Sequence, residues 1–144
     1  MAAGRAEIVA CETCGHARPD EAGRVPGQAL IAALRAAQAE RGAGVVDVSS
    51  VRCLWSCSRS CAVHLRAPGK LGYVIADLPA SDVSAMALLD YASLYAASEE
   101  GRVPFKQCPE PLKGHFVCRI PPAPSDQYSG APGTESEQPR SETA

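Results

Sequence analysis

Aromatic side chains are scarce in this chain: one Trp, two Phe and four Tyr among 144 residues. Its core must therefore be built mainly from aliphatic residues and alanine. Basic runs are missing altogether. With 14 Lys plus Arg against 16 Asp plus Glu, the formal charge is -2. Nucleic-acid binding normally needs a phosphate-neutralising patch, and scattered arginines do not make one, so no nucleic-acid partner is expected. Long apolar runs are missing too. Charge or glycine interrupts each one before the ~18 residues of a membrane span, so no membrane is expected. There is no phosphate-binding glycine loop, no paired carboxylates, no Ser–His–Asp spacing and no zinc-protease motif. The chain is not expected to be an enzyme.

Cysteine is what the chain has in quantity, with seven. The opening MAAGRAEIVAC carries one arginine and no long apolar core, so no secretory signal is expected. The expected compartment is the cytoplasm, where thiols stay reduced. There, cysteines point to metal binding or thiol chemistry. An odd number also argues against a scheme of structural disulfides using all of them.

The pattern of elements is that of an α/β domain. Ala6 to Ala10 reads as a strand ending at Cys11. The Gly-, Pro- and charge-rich stretch CETCGHARPDEAGRVPG reads as loop. Leu30, Ile31, Leu34 and Ala37 share one helical face, with Pro26 at the entrance and Gly42 or Gly44 at the stop. Val45 to Val51 is β-branched and reads as a strand. A polar cysteine loop or short helical turn follows. AVHL-RAPGK-LGYVI reads as a hairpin, its second strand running from Leu71 to Leu78. Ser81 suits a helix N-cap, and Ala85, Leu88, Leu89, Ala92 and Tyr95 form an amphipathic stripe on a helix ending near Gly101. Periodicity is lost after Arg102, and Lys106 to Ile120 is expected to pack over the domain edge. A mixed sheet in a two-layer α/β domain is predicted over residues 5–120. Residues 121–144, rich in Pro, Ser and Glu, are expected to be a disordered tail.

The cysteines fall into two groups. Cys11 and Cys14 follow the first strand. Cys53, Cys57 and Cys61 follow the second, in VRCLWSCSRSCAVHL. If those strands are parallel neighbours joined by the first helix, their C-terminal ends share one sheet edge. Both groups then sit at that edge, where ligand sites of open α/β sheets commonly lie. Four thiolates satisfy tetrahedral zinc or a [2Fe–2S] cluster, and the count does not choose between them. The C-x₃-C spacings are looser than a zinc knuckle.

C-x₂-C after a first strand, with CLWSC after the next, resembles the thioredoxin-like [2Fe–2S] ferredoxins and the related subunit of bacterial NADH dehydrogenases. CLWSCSRSCAV, PGKLGYVIADL and the later CRIPP are similar to a family of small bacterial predicted metal-binding proteins of that character, over roughly residues 7 to 122. The resemblance implies a thioredoxin-like fold and a [2Fe–2S] cluster on Cys11, Cys14, Cys53 and Cys57, in a one-electron carrier with a redox protein partner. The alternative is a non-redox metal binder, holding zinc or delivering metal to a maturation partner, with a link to cobalamin or metal-cofactor maturation. The chain departs from the ferredoxin pattern in three places. Its first pair is more closely spaced, Trp55 stands where glycine is typical, and Cys61 is an extra thiol. Cys61 is a fifth candidate metal ligand, either in place of Cys57 or as a spare.

Each of these residues also has a plainer reading. Any of the five cysteines could be a packed small hydrophobe. Cys11 and Cys14 could be a redox dithiol, although the long loop before Leu30 argues against a helix N-terminus at the pair. Cys108 and Cys118 read as structural, or as a pair formed only under oxidation. His16 and His64 could tune or bind a metal, or be plain surface histidines. Trp55 could shield the site, dock a partner or pack locally. Arg52 and Arg59 could steer an acidic partner or be simply solvated. A homodimer through a sheet edge is a further option.

Overall fold

A computed structural model of the chain describes residues 5–42 and 44–123. Most of the predicted tail, residues 124–144, lies outside the described residues. Five strands and two long helices follow the order β1 (Ala6–Cys11), α1 (Pro26–Arg41), β2 (Val46–Val51), β3 (Val63–Arg66), β4 (Gly72–Ile75), α2 (Asp82–Ala97) and β5 (Phe116–Ile120). The sheet order is β2-β1-β3-β4-β5. β1 and β2 are parallel, and every other neighbouring pair is antiparallel. The two helices pack on each other and on β1 and β2. The result is a two-layer α/β domain with a mixed sheet, broadly consistent with a thioredoxin-like architecture.

Side-chain alternation divides the sheet. Ile8, Val63, Leu65 and Ile75 are buried and belong to the core beneath the helices. The intervening Glu7, Ser49 and Arg66 form a polar chain on the other face, with Ser49 Oγ donating to Glu7 at 2.6 Å and Arg66 pairing with it at 2.8 Å. The helix stripes read from sequence are in place. Leu30, Ile31, Leu34 and Ala37 of α1 are buried, as are Ala85, Leu88, Leu89, Ala92 and Tyr95 of α2. α1 opens on Pro26, whose missing N–H costs nothing in the first turn. α2 opens on Ser81, whose hydroxyl accepts from the Ser84 amide at 3.2 Å.

Three differences from the sequence reading exceed a one-residue shift of a boundary. β4 ends at Ile75 rather than Leu78, because Asp77 turns into the left-handed region (φ 60) and Leu78 pairs with Cys61 instead. α2 ends at Ala97, short of Gly101. Its last carbonyls are taken by the buried Lys70, whose Nζ donates to Tyr95 at 3.3 Å, to Ala96 at 2.7 Å and also to Ser98. The third difference is β5, which lies within the stretch read as having no periodicity. It is an edge strand with mostly exposed side chains, so no buried face imposes alternation on its sequence.

Lys70 brings a cation to a helix C-terminus, where dipole and orphan carbonyls both favour it. Lys70→Met keeps the stem and removes the donors. It should lower stability by about 2 kcal/mol, read from the urea unfolding midpoint, because buried carbonyls are left without partners.

Candidate functional site

Parallel pairing sets Cys11 opposite Val51. The first cysteine loop therefore leaves the sheet beside the second. Polar contacts tie the two together. Glu12 N–H donates to Val51 O at 2.8 Å, and Thr13 Oγ1 donates to Arg52 O at 2.9 Å. Arg18 donates to Ser60 Oγ at 3.2 Å. β3 runs antiparallel to β1, so its start lies at the same edge, and Cys11 N–H reaches Ala62 O at 3.4 Å. Cys61 is held there by paired 3.2 Å backbone bonds with Leu78. Arg59 bridges to Asp77 at 2.6 Å and fixes the far side of the loop.

Cys11, Cys14, Cys53, Cys57 and Cys61 are thus brought to one edge of the sheet. Cys11, Cys14 and Cys61 are buried, whereas Cys53 and Cys57 are exposed. Cys14 interacts with Cys11 and Cys61. Cys57 interacts with Cys53 and, more weakly, with Cys11. Among the described residues, no group of three or more His, Cys, Asp or Glu side chains is arranged to hold one metal ion. All seven cysteines are free thiols.

Backbone amides point at the sulfurs. Ala62 N–H donates to Cys14 Sγ at 3.4 Å, and Trp55 N–H donates to Cys53 Sγ at 3.2 Å. Burial pushes Cys11 up, but backbone donors from Leu54 and Thr13, together with the Cys14 thiol, outweigh it and hold Cys11 below its ordinary value. Burial dominates at Cys14, which rises to about 12, and at Cys61, which rises to about 11. Cys57 is also pushed up, by desolvation first and then by the neighbouring Cys53 thiol.

The sequence reading missed Gly27. The loop after Cys14 folds back, and Gly27 N–H donates to Cys14 O at 2.8 Å. The first turn of α1 therefore packs directly on the Cys11–Cys14 pair, contrary to the expectation of a remote helix. A Cβ at Gly27 would sit 2.3 Å from the Cys11 carbonyl oxygen and 3.2 Å from Cys14 Cβ. The available signal was a glycine in the first helical turn, where nothing in helix propensity favours one.

The surrounding candidates divide. Trp55 is 92% exposed, so it neither covers the thiols nor packs locally. Its backbone is left-handed (φ 61), a geometry that favours glycine. His16 lies in the first loop, with Nδ1 3.3 Å from Thr13 O. His64 is not with the thiols. It lines a groove on the polar side of the domain with Glu7 and Arg66, and burial followed by the Arg66 charge holds it below its usual value. Cys108 and Cys118 line a separate cavity at the β5 edge.

These features define a small two-layer α/β domain with a thiol-rich loop edge. The chain belongs to the family described as Protein of unknown function (DUF1636), whose model matches residues 8–122. No curated protein and no solved structure matches it.

Two measurements check this geometry. Brief alkylation with iodoacetamide at about pH 8 should label Cys53, Cys57 and Cys118 and spare Cys14 and Cys61, read by peptide mass, because access favours the exposed set and burial suppresses the thiolate at Cys14 and Cys61. The raised Cys14 and Cys61 values also carry a pH dependence. The unfolded chain ionises first, near the ordinary 9.0, so this contribution to stability is present below that pH and is lost as the pH climbs toward the folded values. Separately, Gly27→Ala should cost about 2 kcal/mol by urea unfolding, because a backbone oxygen cannot swing aside as a side chain would.

Proposed function

We propose that this protein holds a [2Fe–2S] cluster and serves as a one-electron carrier, with Cys11, Cys14, Cys53 and Cys57 as its ligands. One observation carries the reading. Strand register brings Cys11, Cys14, Cys53 and Cys57 to one sheet edge, two on each of two adjoining loops, with backbone amides aimed at Cys14 and Cys53. Zinc asks for four ligands around a single ion. A [2Fe–2S] cluster asks for two on each of two irons, which suits two loops that supply two thiols each.

The donor chemistry fits as well. Thiolates bonded to a cluster carry negative charge on sulfur, and hydrogen bonds to those sulfurs tune its potential. The amides of Ala62 and Trp55 already aim at Cys14 and Cys53. The left-handed backbone at Trp55 matches the position where the ferredoxin pattern has glycine. When bound, the cluster would supply a one-electron couple. The chain's own part is to hold the thiols, direct amides at them and keep Cys11 and Cys14 away from water. Reduced thiols suit a cytoplasmic setting, and the exposed pair with Trp55 faces outward toward a redox protein partner. The role is that of a carrier and not an enzyme.

A second reading is favoured by Cys61. It lies within electrostatic reach of both Cys11 and Cys14 and is not needed by a four-ligand cluster. A fifth thiol permits ligand exchange, as in a non-redox protein that holds zinc or passes metal to a maturation partner.

Anaerobic purification, or reconstitution with iron and sulfide, separates the two. The first reading expects a coloured protein with iron and acid-labile sulfide in equal amounts. Cys→Ala at 11, 14, 53 or 57 should abolish the colour, and Cys61→Ala should retain it. A colourless protein that takes one zinc and no sulfide would overturn the first reading and support the second.

A further inference from the structure

Away from the thiol edge, four aromatic side chains gather in one place. Tyr73 of β4, Tyr91 and Tyr95 of α2 and Phe116 of β5 form a connected group. The ring centroids are 5.6 Å apart for Tyr73–Phe116, 5.1 Å for Tyr91–Phe116 and 6.0 Å for Tyr73–Tyr95. Beside them opens a cavity of about 590 Å³, walled by Tyr73, Tyr91, Phe116 and the 72% exposed Phe105. Its size lies in the range of small-molecule sites.

The three tyrosines differ in how their hydroxyls are satisfied. Tyr73 Oη donates to Gly101 O at 2.8 Å, and Tyr95 Oη donates to Leu71 O. Tyr91 is 4% exposed, lines the cavity and has no hydrogen-bond partner among the described residues. A buried phenol without a partner is uncommon and calls for one. Burial, with the Tyr73 ring and the Cys108 thiol beside it, pushes this phenol up, so at neutral pH it is a protonated donor.

Two cations border the same cavity. Lys113 lies 4.7 Å from the Phe105 ring centroid and is also paired with Glu110 at 3.2 Å. Arg119 lies 5.5 Å from the Tyr73 centroid and has no carboxylate partner among the described residues. An aromatic wall, one unpartnered phenol and one unneutralised guanidinium together specify a ligand. It should offer a flat apolar ring to the aromatics, an anion to Arg119 and an acceptor to Tyr91.

We propose that the cavity between β4, β5, α2 and the Val103–Gly114 segment binds a small aromatic carboxylate, with Arg119 taking the carboxylate and Tyr91 donating a hydrogen bond. This site lies apart from the cysteine loops and does not depend on what they hold. Naphthalene-2-carboxylate is a suitable probe, followed by amide chemical shifts in the full chain. Saturable shifts confined to residues of this cavity are expected. Arg119→Gln should weaken binding about tenfold and Tyr91→Phe about fivefold, with thermal midpoints unchanged. Naphthylmethylamine, with the ring but the opposite charge, should bind more weakly than the carboxylate. No saturable shifts, shifts centred on the cysteine loops, equal binding of the amine, or unchanged affinity in both variants would each overturn the proposal.

Discussion

The parallel pairing of β1 with β2 is the constraint on which the thiol edge depends. With Cys11 opposite Val51, the chain leaves both strands at the same end of the sheet, and each exit opens directly into a cysteine loop. A parallel pair requires a crossover, and α1 supplies it. That helix does a second job. Its first turn returns to the pair it started from, so close to Cys11 and Cys14 that Gly27 has no room for a side chain. Sheet, crossover and thiols are one construction. A shift of register by one residue would turn Ile8 out of the core and separate the loops together.

Within that construction the cysteines are graded by water. Cys14 and Cys61 are buried and are raised furthest by that burial. Cys11 is also buried, but backbone amides supply the charge stabilisation that solvent does not. Cys53 and Cys57 remain open to solvent at the loop surface. For a bound cluster, this gradient would place one pair of ligands in the protein and the other toward a partner. For a metal-delivery protein, it would place the spare thiol on the inner side. Both proposed roles draw on the same asymmetry.

Much of the fold was legible because buried faces impose periodicity. The α1 and α2 stripes, the hairpin and the parallel strands each leave a pattern of apolar residues that sequence carries openly. The connection between β3 and β4 was misplaced by one residue, running from Ala67 to Leu71, since RAPGK and APGKL are equally good turn sequences. β5 left no such pattern, because an edge strand exposed along most of its length has no face to enforce one. α2 stopped short of Gly101 because Ser98 turns extended and its hydroxyl takes the Gly101 and Arg102 amides, while Lys70 from the hairpin connection meets the last carbonyls. His64 looked close to Cys61 along the chain. Strand alternation instead turned it to the polar side, with Glu7 and Arg66.

By itself the sequence determined the class of domain and the two helical faces, because hydrophobic period is a local property of the chain; it brought the two cysteine groups to one edge only on condition that β1 and β2 pair in parallel, which the sheet supplies. Tertiary structure alone decided which thiols are buried, which amides aim at them and that the α1 N-terminus closes on Cys14. It also decided that Tyr91 faces a cavity without a partner. Desolvation and hydrogen-bond partners depend on neighbours far along the chain, and residue identity does not encode them until the sheet has brought them together.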